Sequence, residues 1–176
     1  MSCFFEDAAG IGFYYLRQGD WKRAQDYLDW AIPIHKERNN VAAIGACYYI
    51  QGNLAIEQKK YDKAERFLLE SLEICRNGGN VIFELWVLPS ICELLLKKRQ
   101  LKEATGYIEK GFDILKPDQN WYGLAAPLYL AKAILATEER SWDIAAEYFA
   151  KTDQLNRQYE LPWDEAKTNY EWSKML

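Results

Sequence analysis

Large and small apolar positions alternate along this chain in a single helical stripe that returns four times. Each copy is centred on an alanine: Ala24, Ala64, Ala104 and Ala145. A large apolar residue stands three positions earlier (Trp21, Tyr61, Leu101, Trp142) and another four later (Leu28, Leu68, Ile108, Phe149). Seven positions later the residue is small again: Ala31, Ser71, Gly111, Thr152. Offsets of this kind fall on one face of an α-helix. A second small residue precedes each alanine by 12 positions: Gly12, Gly52, Cys92 and Ala133. Such a pair predicts two helices folded back on each other, crossing too closely for any side chain much larger than Ala, Ser or Cys. The alanines recur with periods of 40, 40 and 41 residues, and a further step of 40 from position 133 predicts a small residue at 173, where Ser173 stands.

Punctuation between the stripes bounds the helices. First helices are predicted at about 4–17, 41–58, 81–98 and 121–138, and second helices at about 21–37, 61–76, 101–115 and 142–159. Gly19-Asp20 forms a turn with Asp20 as N-cap, and Ser141 caps the helix that follows it. Asn77-Gly78-Gly79-Asn80 stops a helix, and no strand or Gly-Lys-Ser/Thr accompanies it to make a phosphate loop. Pro33 and Pro89 lie inside predicted helices and should bend them. Lys59-Lys60 and Lys97-Lys98-Arg99 sit at helix C-termini, where cations favour the dipole. Lys116-Pro117-Asp118 closes the helix before it, Pro127 is tolerated near the start of its helix, and Leu161-Pro162-Trp163 opens a last one. The fold class is therefore all-α, with repeats at about 1–39, 40–79, 80–118 and 119–160 and a terminal helix at 161–176. Because the spacing inside each hairpin is constant, the residues that lengthen the period are expected between one hairpin and the next.

Composition removes several function classes. A net charge of −4 argues against phosphate-driven nucleic-acid binding. No apolar run approaches the ~20 residues of a membrane span, and the first residues lack the pattern of a signal peptide. Cys3, Cys47, Cys75 and Cys92 show no metal-ligand spacing, and the last three fall on apolar stripes, as buried thiols of a reducing cytoplasm would. His35 is the single histidine and has no nucleophile beside it. Glu6-Asp7, Glu138-Glu139 and Asp164-Glu165 point about 100° apart on a helix and read as solvated faces. No catalytic residue, metal site or cofactor is expected, and the chain reads as a non-enzyme.

The small residue on the first helix, the alanine on the second and the aromatic at the turn resemble the tetratricopeptide repeat. The period departs from that family's, which is about 34 residues. Longer helices and a longer inter-repeat connection are similar to the MalT-type repeats of large bacterial regulators; HEAT and armadillo arrays share the period but not the fixed small–Ala pairing. The resemblance implies a right-handed α-solenoid whose first helices line a concave groove. Three positions before the small residue, one after it and four after it, the groove candidates are Ala9, Phe13 and Leu16, then Tyr49, Asn53 and Ile56. Pro89, Glu93 and Leu96 follow, then Leu130, Ile134 and Thr137, with Tyr170 and Lys174 on the last helix. Of the basic and amide residues with which chaperone-binding relatives clamp a peptide carboxylate, Asn53 alone is present.

The expected function is a protein-interaction or scaffold module in a larger cytoplasmic regulatory protein, taking an apolar peptide or partner helix at Phe13, Tyr49, Asn53, Glu93, Leu130, Ile134 and Tyr170. The alternative is an effector-sensing domain of a MalT-type regulator, with Tyr49, Asn53 and Glu93 around a small ligand. Trp172, Met175 and Leu176 are apolar where a capping helix carries a polar face. They point to a fragment of a longer chain, or to self-association through the terminal helix.

Overall fold

The computed structural model describes the backbone of residues 3–115 and 123–175, with side chains from residue 10 onward in those ranges. The described residues form helices α1 (Cys3–Arg17), α2 (Trp21–Glu37), α3 (Val41–Glu57), α4 (Tyr61–Asn77) and α5 (Val81–Lys97). Helices α6 (Leu101–Ile114), α7 (Ala126–Glu138), α8 (Trp142–Gln158) and α9 (Pro162–Ser173) follow, and no strand is present among the described residues. Contacts divide the chain into two compact units, Met1–Ser90 and Ile91–Leu176, with the division inside α5. In the first unit α1 packs on α2 and α3 on α4, with α3 also against α1 and α2. In the second unit α7 packs on α6 and α8, and α9 on α8 and α7.

The stripe buries as its spacing predicts. Ala24, Ala64, Ala104 and Ala145 are all 0% exposed. Opposite Ala64, a Cβ on Gly52 would lie 2.6 Å from Leu68 Cγ and Cδ2, and Leu68 is itself fully buried. A Cβ on Gly12, in the same register, would meet Leu28 at an ordinary 3.6 Å. The small residue seven positions on has work of its own: Ser71 Oγ donates to Gly45 O at 2.8 Å, and Gly111 leaves no room for a Cβ beside Leu128.

Of the longer helices and longer connections expected, only the helices are lengthened. Helices α2 to α5 each contain 17 residues. The connections between hairpins, at 38–40 and 78–80, are three residues long, like the turns within hairpins at 18–20 and 58–60. The added residues therefore lengthen helices, not loops. Each of these turns holds one residue in the left-handed region: Gly19, Asn39, Lys59 and Gly79, then Arg99, Arg140 and Glu160 further along. That residue's N–H bonds the carbonyl three back, and the next N–H bonds the carbonyl five back, as in Lys59→Ile56 at 2.9 Å and Lys60→Ala55 at 2.8 Å. This double bond satisfies the last free carbonyls of the helix.

Local details confirm some expectations and correct others. Asp20 caps α2, its carboxylate accepting from Arg23 N at 3.1 Å. Asn40 and Asn80 cap α3 and α5 in the same way, accepting from Ala43 N and Phe83 N. Ser141 occupies the N-cap of α8, but its hydroxyl makes no capping bond. Helices α2 and α5 continue through Pro33 and Pro89. Helix α7 starts at Ala126 rather than near 121, with Pro127 in its first turn; Trp121 and Lys116-Pro117-Asp118 lie outside the described residues. No helix among the described residues is long and apolar enough to cross a membrane.

Two substitutions at one register position should separate. Gly52→Ala should cost about 1–3 kcal/mol, because buried Leu68 cannot yield. Gly12→Ala should be neutral or stabilise by up to about 1 kcal/mol through helix propensity. Chemical denaturation of both variants checks the contrast. At the turns, Lys59→Gly should raise stability by roughly 0.5–1 kcal/mol, because glycine relieves the left-handed strain. A raised melting temperature with unchanged helicity is the expected readout.

Candidate functional site

In the first unit the first helices of three successive repeats present an aromatic row. The Tyr49 ring lies 6.2 Å from Phe13, 5.9 Å from Phe83 at 75°, and 6.3 Å from Trp86 at 50°. Phe83 stacks on Trp86 at 5.7 Å. Phe13 and Tyr49 back onto the core formed by Leu16, Leu28, Cys47 and Leu54, so the row is seated on fixed helices. The Arg17 guanidinium covers Phe13 at 4.7 Å. Trp86 is 41% exposed and forms the open end.

Asn53 sits beside this row but is already engaged. Its Nδ2 donates to Tyr49 O at 2.8 Å, and its Oδ1 accepts from Ser90 Oγ at 3.0 Å. The surface is therefore apolar and aromatic, with its amide turned inward. Phe13 and Tyr49 lie side by side, and Asn53 bonds the Tyr49 carbonyl. Leu16, Ile56 and Pro89 are buried in the core instead of facing a groove, and the Ala9 side chain lies outside the described residues.

Phe83 and Trp86 were missed by the register. The position equivalent to Tyr49 in the third repeat is Pro89, and the rings that meet Tyr49 come from one and two turns before it. Helical side chains lean toward the N-terminus, so partners on adjacent helices need not share a level. The signal available was the aromatic pair at i and i+3 on the apolar stripe of α5.

The second unit is organised differently. Glu93 Oε2 accepts from Lys167 Nζ at 2.6 Å, and Oε1 lies 3.6 Å from Lys97 Nζ. Burial alone would push this carboxyl up, but the ammonium of Lys167, then that of Lys97, outweighs it and holds Glu93 below its ordinary range. Leu130 is buried with Ala133, Ala136, Ala145 and Phe149, and Ile134 packs against that cluster together with Trp172 and Met175. Leu96 is buried too, and the Thr137 hydroxyl is turned back to Ala133 O. Tyr170 stands apart at 63% exposure, with Lys174 Nζ over its ring at 4.0 Å. Trp172 stacks on Phe149 at 5.5 Å, so two of the apolar residues read as a docking face have partners within the unit; Leu176 lies outside the described residues.

Among the described residues no group of three or more His, Cys, Asp or Glu could hold a metal ion. Cys47 and Cys75 are buried thiols pushed up to about 11, and Cys92 up to about 12, by desolvation, which makes them poor nucleophiles. The Cys3 side chain lies outside the described residues.

Sequential packing of antiparallel helix pairs makes this a helical-repeat-like all-α fold. No family model matches the chain, and no curated protein matches it.

His35, near the end of α2, is 1% exposed, and burial, followed by the charge of Arg38, lowers its pKa. The helix C-terminus favours a charged imidazole, but desolvation prevails. The unfolded chain then binds a proton at a higher pH than the folded one, so stability is full above about 6.5 and falls as pH drops below that value. His35→Leu, which copies the residue at Leu115 one period-pair later, should flatten the melting temperature between about pH 7 and 5.5. The wild type should lose stability across that window.

Proposed function

We propose that this protein is a non-catalytic interaction module that docks an apolar peptide or a partner helix on the aromatic row of its first unit. The observation that carries the reading is the continuous set Phe13, Tyr49, Phe83 and Trp86, spread over three helices and open at Trp86. Aromatic anchors held on rigid helices lose little entropy on binding and dominate interface energies. The polar groups that a small effector would need are already in use: Asn53 bonds Tyr49 and Ser90, and Glu93 holds two lysines. That favours a protein partner over an effector-sensing role. The small–Ala hairpin spacing supports reading the repeats as tetratricopeptide-like, in a long-helix variety, and their setting as the helical-repeat region of a larger cytoplasmic regulatory protein.

Affinity capture from a native lysate, read by mass spectrometry, tests the surface with wild type against Trp86→Glu. Trp86 is exposed enough for the variant to keep its fold, which circular dichroism checks. A partner held by wild type should bind the variant at least roughly thirtyfold more weakly, the scale of losing an aromatic hot spot. Equal capture by both would remove the aromatic row as the docking site.

A further inference from the structure

Most ion pairs among the described residues join neighbours three or four positions apart, as in Arg66–Glu70, Lys151–Glu147 and Lys174–Glu171. Glu93–Lys167 is of another kind. It connects α5 to α9 at 2.6 Å across 74 residues of sequence, and these two helices belong to alternate repeats. The Glu93 side chain is 22% exposed and that of Lys167 40%, so the pair is partly shielded, and what distinguishes it is that it joins two helices. Helix α7 belongs to the repeat between them, packs on α9, and carries Leu130 and Ile134 in the cluster that Trp172 and Met175 cover.

We infer that Glu93–Lys167 is a strap that holds α9 in place and keeps the apolar inner positions of α7 closed in the free protein. Other contacts fix α9 to α8: Asn156 Nδ2 donates to Thr168 Oγ1 at 3.0 Å, and Arg157 pairs with Glu165 at 3.3 Å. Those contacts can act as a hinge, whereas the strap joins α9 to α5. Releasing it lets α9 swing on α8 and uncovers Leu130 and Ile134. The strap lies within the second unit and stands independently of the docking surface proposed for the first.

Amide hydrogen exchange on the whole chain at pH 7, read over 126–138, 142–158 and 162–173, tests the strap. Glu93→Gln and Lys167→Met should each speed exchange in α7 and α9 by roughly fivefold to tenfold, the scale of losing one shielded ion pair, and leave α8 slow. Lys97→Met removes a partner on Glu93's own helix and should leave α9 at the wild-type rate. The charge swap Glu93→Lys with Lys167→Glu should restore protection. Unchanged α9 exchange in Glu93→Gln would overturn the strap, as would acceleration by Lys97→Met equal to that by Lys167→Met. If α8 also accelerates, the swap decides: recovery supports the strap and its absence overturns it.

Discussion

Four alanines with no exposed surface mark the places where paired helices come closest, and the rest of the structure follows from that approach. At Gly52 the fit is so tight that one added carbon would overlap Leu68. Close approach brings more side-chain atoms into contact per turn of helix, and each fully buried Leu, Ile or Phe of the stripe contributes roughly 1.5–3 kcal/mol. A hairpin built this way still has one apolar face uncovered, which is why successive pairs must pack in order. The slack at Gly12 shows that the constraint is not uniform. Its register is the same as that of Gly52, but Leu28 stands farther off.

Turn geometry carries the second constraint. One left-handed residue and two backbone bonds end helix after helix, whether the turn lies within a hairpin or between two. A single kind of turn leaves helix length as the way to change the period, and the 17-residue helices supply the difference. Only two of the seven turn residues with positive φ are glycine; Lys, Arg, Asn and Glu hold the others. Lys, Arg and Glu in such turns give no local sign of a left-handed residue, so nothing in the sequence argues against the longer connection expected beside longer helices. Ion pairs then fasten two of the connections between hairpins: Arg76 to Glu84 at 2.7 Å and, two repeats later, Arg157 to Glu165.

The stripe, its period and the ends of most helices were legible because they depend on contacts within one hairpin, where sequence spacing fixes geometry. The candidate site was legible in part. Phe13, Tyr49 and Asn53 lie together in the first unit, while Pro89, Leu96 and Leu130 turn into the core. Contacts between repeats depend on how far each helix is shifted along its neighbour, and no spacing rule within a repeat reports that shift. Tyr49 meets Trp86 and Phe83, one and two turns from the register-equivalent position, for this reason. Glu93 and Lys167, 74 residues apart, were beyond any local pattern.

The position eleven residues after each alanine shows how one site in the repeat acquires different tasks. It holds His35, Cys75, Leu115 and Asn156, and none is more than 8% exposed. An apolar residue suffices there, as Leu115 shows. Asn156 instead reaches α9 through Thr168, whose hydroxyl donates onward to Asp164 O at 2.7 Å. Its own Oδ1 is left buried without a hydrogen bond, a cost of about 1–3 kcal/mol. A leucine would avoid that cost but could not fix the register of α9, since apolar contacts permit sliding and a directed hydrogen bond does not. The repeat therefore gives up some packing energy at this position in exchange for a defined seat for the helix that the Glu93–Lys167 pair reaches from α5.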